Sequence, residues 1–188
     1  MGGKLIIFSA PSGSGKTTIV KELSKAYTNL GFSISATTRS KRGEEIDGKD
    51  YYFLSVEDFE DKIEDDQFAE FEEVYKGRYY GTLKPEIERL WAKGKHVLFD
   101  VDVKGGINLK RVYRQKALAI FVKVPSLNEL ETRLRARGTE DEENIKMRLA
   151  KVVEENKYAD QFDRIIINDA IENAVAQAKE LIDCFLKE

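Results

Sequence analysis

The sequence of 188 residues is poor in cysteine and proline and has no low-complexity segment. Its one cysteine, Cys184, has no partner for a disulfide within the chain and falls on the apolar face of a predicted C-terminal helix. Three prolines, 41% hydrophobic residues and 35% charged residues exclude the compositions that are typical of disordered chains. We therefore expect one globular unit with a sizeable core.

Long apolar runs and a strong charge bias are absent as well. The longest nearly apolar stretch, ALAIFVKV, has the length of a strand and is broken by Lys123. No secretory segment is visible at the N-terminus, and a net charge of −3 gives no overall attraction for polyanions. These features predict a cytoplasmic protein with no membrane or nucleic-acid partner.

Short apolar runs alternate with longer helical patterns. KLIIFS, GFSIS, HVLFDVD, ALAIFVKV and RIIIN are too continuous to alternate, which is typical of strands buried on both faces of a parallel sheet. Capping boxes at Ser126 and Thr139 mark helix starts, and the last helix repeats apolar residues at helical spacing. This order predicts a three-layer α/β fold.

One stretch, residues 35–82, interrupts that rhythm. It is polar and aromatic, with a short helix starting near Ser55 and short strands bounded by glycines, as in antiparallel hairpins. We interpret it as a small insert at the C-terminal edge of the sheet, where open α/β folds bind ligands. The predicted domains are a core of residues 1–34 and 83–188, with a lid at about 134–148, and the insert of residues 35–82.

The first predicted strand leads directly into a loop rich in glycine and serine. The stretch FSAPSGSGKTT matches G-x-x-x-x-G-K-[ST] except that Ala10 replaces the first glycine. Backbone N–H groups and the following helix would surround a β-phosphate, Lys16 would reach the β and γ oxygens, and Thr17 could bind Mg²⁺. The predicted nucleotide-binding residues are Ala10, Pro11, Ser12, Gly13, Ser14, Gly15, Lys16, Thr17 and Thr18.

A second acidic element follows the strand HVLFDVD. Asp100 or Asp102 at its end could hold Mg²⁺, directly or through water, beside the loop. DVKG resembles the D-x-x-G of GTPases, but the base-reading N-K-x-D is missing, since the nearest match ends in Ala159. This absence weakens a GTPase interpretation and leaves the separate roles of the two aspartates open.

Arginines cluster between two later helices. Arg133, Arg135, Arg137 and Arg148 flank a polar turn at Gly138. Guanidinium groups match the oxygens of a phosphoryl group in transfer, although Glu–Arg pairs on a helix face would give the same pattern. For the cluster as a whole we favour a lid over the phosphates.

From end to end the chain resembles the guanylate kinases. The resemblance rests on SAPSGSGKTT, FSISATTRSKRGEEIDGKDYYF, FAEFEEVYKGRYYGT, FDVDVKG, RLRARGTEDEENIKMRL and IIIND, in the family's order and spacing. It implies a P-loop core, a GMP-binding insert, a lid that carries arginines, and transfer of the γ-phosphoryl group of ATP to GMP. ATP would be the co-substrate and Mg²⁺ the metal, held by Thr17 and by Asp100, the latter directly or through water.

The resemblance also implies roles for single residues. Lys16, Arg42, Arg137 and Arg148 would act at the transferring phosphate, and Arg133, Asn168 and Asp169 would lie by the ATP. The residues expected to bind GMP are Ser35, Arg39, Arg42, Tyr51, Glu70, Tyr80, Thr82, Asp100 and Asp102. The register between Glu73 and Arg78 leaves open whether Tyr79 or Tyr80 contacts GMP.

The chemistry of guanine independently suits these side chains. Guanine presents two adjacent donors, N1–H and the N2 amino group, which one carboxylate such as Glu70 can accept together. Its O6 needs a donor hydroxyl, such as that of Ser35 or Thr82. Arginines and tyrosines in the insert offer donors to a phosphate dianion. His96 and Trp91 have no such partners, and we interpret both as structural.

Two other functions stay open on the sequence alone. A guanylate-kinase-like scaffold would use the same fold to bind phosphopeptides, but such modules typically lack a working phosphate loop. A related kinase of another phosphomonoester, for instance a ribose bisphosphate, would not need Glu70 beside Ser35 and Thr82. The sequence allows either a monomer or a homodimer.

Overall fold

The structure of the protein, a computed structural model, describes residues 2–136 and 142–188. The strands within them are β1 (Leu5–Ser9), β2 (Leu30–Phe32), β3 (Ala36–Thr37), β4 (Tyr52–Phe53), β5 (Phe68–Tyr75), β6 (Arg78–Leu83), β7 (His96–Val101), β8 (Ala117–Lys123) and β9 (Arg164–Ile167). The α-helices are α1 (Lys16–Ala26), α2 (Val56–Glu64), α3 (Lys84–Ala92), α4 (Val103–Tyr113), α5 (Leu127–Ala136), α6 (Glu142–Asn156) and α7 (Ile171–Lys187).

A parallel sheet in the order β2-β7-β1-β8-β9 forms the centre. Each of its strands overlaps one of the five apolar runs of the sequence. Leu5 and Ile7 pack in a cluster with α3 and α4, whereas Ile6 and Phe8 pack on the opposite face with α1 and α7. Burial on both faces explains why the runs of β1, β7 and β8 do not alternate. The prediction is wrong for the edge strand β9, where Ile165 and Ile167 are exposed. The predicted three-layer α/β fold is confirmed.

A second, four-stranded sheet in the order β4-β3-β6-β5 lies within the predicted insert. The prediction of antiparallel pairing is correct for β5 with β6 and for β3 with β6, but wrong for β3 with β4, which run parallel. Residues 38–51 separate those two strands, and a connection of this length allows a parallel crossover. The chain leaves the central sheet after Phe32, so the predicted strand GFSIS is shorter than expected.

Helix ends follow the expected capping chemistry in two cases. The Ser55 hydroxyl accepts a hydrogen bond from the Asp58 N–H at 2.9 Å, and that of Ser126 accepts one from the Glu129 N–H at 3.1 Å. Thr139 lies outside the described residues. None of the helices in the two described segments is long and apolar enough to cross a membrane.

The prediction for Cys184 is wrong, because this side chain is exposed. The buried face of α7 runs through Ala174, Ala178 and Ile182. Cys184 follows Ile182 by two residues, and two residues correspond to more than half a helical turn. The thiol therefore points away from the core.

Candidate active site

The loop after β1 has the backbone geometry of an anion-binding site. Gly13 and Gly15 have φ angles of 91° and 85°, a region that side chains with a Cβ rarely enter. The loop closes through a 3.2 Å hydrogen bond from the Ser14 N–H to the Pro11 carbonyl, and Gly15 is the N-cap of α1. The loop thus leads into the positive end of α1, which favours binding of a phosphate.

Lys16, Thr17 and Asp100 form one polar group above the central strands. The Lys16 ammonium lies 2.5 Å from Asp100 Oδ1 and donates a 2.6 Å hydrogen bond to the Val101 carbonyl. The Thr17 hydroxyl donates to Asp100 Oδ2 at 2.9 Å. The parallel pairing of β1 with β7 brings these residues together, because the carboxyl ends of both strands meet at one edge of the sheet.

The side chains of this group fit a Mg²⁺ ion that binds together with a nucleotide. Such an ion uses one or two protein oxygens and completes its shell with phosphate oxygens and water. A hydroxyl and a carboxylate, Thr17 and Asp100, are adjacent here. In the described parts of the chain no cluster of three or more His, Cys, Asp or Glu could hold a metal alone.

A cavity of about 460 Å³ extends from the phosphate loop to the second sheet. Its lining joins the loop to several predicted GMP-binding residues. From the loop come Ala10, Pro11, Ser12, Gly13, Ser14, Gly15, Lys16, Thr17 and Thr18, and from the predicted GMP set come Ser35, Tyr51, Glu70, Tyr80, Asp100 and Asp102. Val74, Gly81, Val101, Lys151 and Glu155 complete the lining.

Glu70 is the buried carboxylate of this cavity. It is 7% exposed, and the Thr82 hydroxyl donates a 2.8 Å hydrogen bond to its Oε1. The antiparallel register of β5 and β6 places the two residues opposite each other. Burial raises the pKa of Glu70 to about 7, although the bond from Thr82 opposes the shift. Desolvation is the largest effect, because hydrogen bonds from the neutral Thr82 residue do not replace the lost water.

Asp102 lies beside Glu70 but also has a structural contact. It is the N-cap of α4, where its Oδ1 accepts a 2.9 Å hydrogen bond from the Gly105 N–H. A Cβ on Gly105 would lie 2.6 Å from Glu70 Oε2, so a glycine is needed where α4 approaches the carboxylate. The negative charge of Asp102 contributes to the raised pKa of Glu70.

The aromatic wall of the cavity is tied to Arg39. The Arg39 guanidinium stacks 4.8 Å from the Tyr51 ring centroid, and Tyr51 meets Tyr80 edge-on at 6.2 Å. Glu45 holds Arg39 through two 2.6 Å hydrogen bonds and also accepts from the Arg42 N–H at 2.8 Å. Hydrogen bonds from Arg39 lower the pKa of Glu45 to about 2. The Arg42 residue itself is exposed at the edge of this group.

The two adjacent tyrosines of β6 face opposite ways. Tyr80 lines the cavity, whereas Tyr79 stacks on Phe59 at 5.2 Å and donates to Glu60 at 3.2 Å. Alternation along a strand requires this division. The geometry therefore favours Tyr80 as the ligand and Tyr79 as part of the packing of the second sheet.

The arginines of α5 and α6 occupy different places. The Arg148 guanidinium donates to the Ser12 hydroxyl of the phosphate loop. Arg133 donates to the Asn168 carbonyl at 3.0 Å, and Arg135 pairs with Glu131 and Glu142. Arg137 lies outside the described residues. Only Arg148 of this described set contacts the loop directly.

Two residues predicted to lie by the ATP, Asn168 and Asp169, are outside the cavity lining. The Asn168 side chain is buried and donates a 2.7 Å hydrogen bond to the Ser14 carbonyl, which ties the end of β9 to the phosphate loop. Asp169 accepts a 2.6 Å bond from the Ala170 N–H at the start of α7. Neither lines the cavity, and neither does Thr82, which acts on it through Glu70.

Sequence reasoning missed three polar residues of the site. Glu45 orients Arg39, and Lys151 and Glu155 of α6 line the cavity. The spacing of Lys151 and Glu155 from Arg148, three and seven residues, places all three on one helical face and could have identified them. The bidentate pairing of Glu45 had no comparable signal, because it depends on how a loop folds.

His96 lies outside the cavity lining and contacts the backbone. Its Nδ1 accepts a 2.9 Å hydrogen bond from the Lys4 N–H at the edge of the sheet. Burial lowers its pKa, with a smaller contribution from the charge of Lys4. The imidazole is therefore neutral near pH 7 and lies far along the strand from the cavity.

Comparisons with known proteins agree with this geometry. The family model described as Guanylate kinase matches residues 2–184. The guanylate kinase of Bacteroides thetaiotaomicron is 53% identical over 188 residues, covering 100% of this chain and 92% of the relative. That of Porphyromonas gingivalis is 50% identical over 184 residues, covering 97% and 98%. The crystal structure of guanylate kinase from Anaplasma phagocytophilum is 26% identical, with a TM-score of 0.79 over 100% of this chain and 88% of that one. The chain belongs to the guanylate kinase family.

Proposed function

We propose that the protein transfers the γ-phosphoryl group of ATP to GMP, giving ADP and GDP. The observation that carries the proposal is the buried Glu70 carboxylate, which shares one cavity with the phosphate loop. The loop would bind the phosphates of a nucleoside triphosphate, and Glu70 would accept hydrogen bonds from a base with two adjacent donors. Membership of the guanylate kinase family supports the same reaction.

Guanine recognition would depend on Glu70 in its ionised form. The carboxylate would accept from N1–H and the N2 amino group, while Ser35 would donate to O6. Adenine has an unprotonated ring nitrogen at the corresponding position, which would face the same carboxylate without a proton between them. The Thr82 hydroxyl is already committed to Glu70 and would hold it in place.

The monophosphate of GMP would lie against the aromatic and basic wall. Tyr51 and Tyr80 offer hydroxyl donors, and Arg39 and Arg42 offer guanidinium groups to its oxygens. Because Glu45 holds Arg39 by two bonds, that guanidinium is oriented before the substrate arrives.

Transfer itself would need charge compensation rather than a general base, because the GMP phosphate oxygen is already a nucleophile. Lys16 and the N–H groups of the loop would hold the ATP phosphates, and Arg148, with Arg42 and Arg137, would act at the moving group. Mg²⁺ bound with ATP would supply further positive charge, held by Thr17 and Asp100. Lys16 would exchange part of its contact with Asp100 for phosphate oxygens.

The proposed reaction also assigns a role to each part of the chain. We propose a core of residues 1–34 and 83–188, a GMP-binding insert of residues 35–82 and a lid at about 134–148. The separate four-stranded sheet supports the insert, and the contact of Arg148 with Ser12 supports an arm that approaches the phosphate loop. Arg133, Asn168 and Asp169 would then support the ATP side from behind.

A scaffold function is not favoured by any contact in the site. Scaffold modules need no intact phosphate loop, yet here Lys16, Thr17 and Asp100 are arranged together. A kinase of a ribose bisphosphate would have no use for a buried carboxylate opposite a hydroxyl. As further proposals, we expect a cytoplasmic monomer or homodimer whose ligands are ATP, Mg²⁺ and GMP.

A coupled assay of ADP release with ATP, Mg²⁺ and each nucleoside monophosphate in turn tests the proposal. We expect turnover with GMP, and at least about a hundredfold lower kcat/KM with AMP, CMP or UMP, because a site built for hydrogen bonds leaves buried groups unpaired with another base. Equal rates with AMP and GMP would contradict the guanine assignment. Nucleotide binding without turnover would favour the scaffold.

A further inference from the structure

Glu86 is a buried carboxylate outside the cavity. It lies in the first turn of α3, directly after β6, where the chain returns from the second sheet to the core. Its side chain is 1% exposed. Buried carboxylates are rare unless they are fully hydrogen-bonded, so this position needs an explanation that the reaction does not supply.

Four hydrogen bonds satisfy the Glu86 carboxylate. Oε1 accepts from the Ile34 N–H at 3.1 Å and from Arg89 Nη2 at 2.8 Å, while Oε2 accepts from the Tyr52 hydroxyl at 3.0 Å and from Arg89 Nε at 2.8 Å. Burial opposes ionisation, but the bonds from Arg89, Ile34 and Tyr52 outweigh it, so the pKa of Glu86 lies below its ordinary value. The group is therefore a carboxylate with its acceptor sites filled.

Two of those donors adjoin residues of the cavity. Ile34 precedes Ser35, and Tyr52 follows Tyr51, and both Ser35 and Tyr51 line the cavity. The two segments also bind each other, because the Tyr52 N–H donates to the Ser35 carbonyl at 2.9 Å. Glu86 thus joins a core helix to the two insert segments that carry a proposed base ligand and a proposed phosphate ligand.

An apolar residue at this position could fill the space but could not make these contacts. Replacement of a buried ion pair by apolar groups is often neutral for stability, so stability alone does not explain the arrangement. Directional bonds to a backbone N–H and a phenol instead define the relative position of the two segments. Displacements of about 1 Å in a substrate site can cost about a hundredfold in rate.

We propose that Glu86 is a positioning residue for GMP, which holds Ser35 and Tyr51 in register through Ile34 and Tyr52. The inference rests on the proposed function, because it assumes that these two residues bind GMP. ATP has no ligand among the segments that Glu86 joins. Loss of the carboxylate is therefore expected to weaken the binding of GMP but not the binding of ATP.

Two variants test the inference against a matched control. Glu86→Gln keeps the shape but turns an NH₂ group toward donors, and Tyr52→Phe removes only the hydroxyl. Glu88→Gln makes the same change at an exposed position of the same helix. We expect the GMP KM to rise about five- to twentyfold in Glu86→Gln and less in Tyr52→Phe, with the ATP KM of each within about twofold of the wild type.

The readouts separate positioning from stability. If Glu86→Gln lowers the melting temperature but leaves the GMP KM unchanged, or raises both KM values equally, Glu86 is merely structural and the inference is wrong. If Glu86→Gln does not fold, an unchanged GMP KM in Tyr52→Phe overturns it. The double variant should raise the GMP KM by less than the product of the single effects, because both changes remove one contact. Lack of GMP turnover in the wild type and in Glu88→Gln would instead contradict the proposed function.

Discussion

Replacing Lys16 by methionine is expected to lower kcat for GMP phosphorylation by about 100- to 1,000-fold, in the range found when one preorganised donor is removed from a transition state. The Lys16 ammonium is the only described lysine that contacts both Asp100 and the end of β7 in the cavity. Without it, the ATP phosphates would lose the ammonium group that lies beside Asp100. Methionine keeps most of the side-chain length, so the loss measures charge and donors.

Lys25→Met is the matched control, because Lys25 lies on the same helix with a 72% exposed side chain. It should leave kcat within about twofold of the wild type, since its pair with Glu22 is solvent-exposed and weak. GMP affinity, measured by calorimetry without ATP, should change little in both variants. A Lys16→Met protein with normal kcat would show that the Lys16 side chain does not act in transfer.

Replacing Glu70 by glutamine is expected to raise the GMP KM by about 5- to 150-fold, which corresponds to about 1–3 kcal/mol, while the ATP KM stays nearly unchanged. The amide would present an NH₂ group to one of the two guanine donors. Glu73→Gln, on the opposite face of β5, is the control and should bind GMP normally. Normal GMP affinity in Glu70→Gln would indicate that another carboxylate, such as Asp102, accepts from the base.

The same variant should change the pH dependence of GMP binding. Because burial raises the pKa of Glu70 to about 7 in the free protein, acidification below pH 7 protonates the group that must accept from guanine. Wild-type affinity should then fall by up to about tenfold per pH unit below the pKa, until it approaches the affinity of Glu70→Gln. The phosphate of GMP also titrates, but it does so for both proteins, so the ratio of wild-type to Glu70→Gln affinity isolates the carboxyl group.

The raised pKa of Glu70 should also make the stability of the folded protein depend on pH. A carboxyl whose pKa is raised by folding favours the folded state while it is protonated, and this contribution is lost as the pH rises through about 7. Glu70→Gln should therefore melt at a higher temperature than the wild type at pH 8 and lose this advantage at pH 5. Equal differences at both pH values would contradict a raised pKa.

Patterns that depend on neighbours in the sequence predicted the fold well. The central strands and the caps at Ser55 and Ser126 follow from runs and spacings of a few residues. The parallel pairing of β3 with β4 was missed because direction depends on the course of residues 38–51. Cys184 was wrongly assigned to the apolar face of α7. The adjacent Phe185 is partly buried, and a shift of one residue along the helix is enough to move a side chain from the buried face to solvent.

In the candidate active site too, local features could be predicted from the sequence and contacts between distant residues could not. The phosphate loop is a local motif, and its contact with Asp100 follows from two strands ending at one edge of the sheet. Side chains that act through other residues, such as Glu45 on Arg39 and Glu86 on Tyr52, could not be predicted. Their partners are distant in sequence or lie in irregular segments. In a chain with many charged residues, the sequence does not show which group a given carboxylate binds.

Transfer of labelled phosphate from ATP to GMP tests the central claim most directly. With ATP labelled at the γ-phosphorus, GMP and Mg²⁺, the account predicts that the label appears in GDP, one labelled GDP for each ADP formed, and that Lys16→Met slows this transfer while Lys25→Met does not. Label released as inorganic phosphate, or none transferred to GMP while ATP and GMP both bind, would contradict the account.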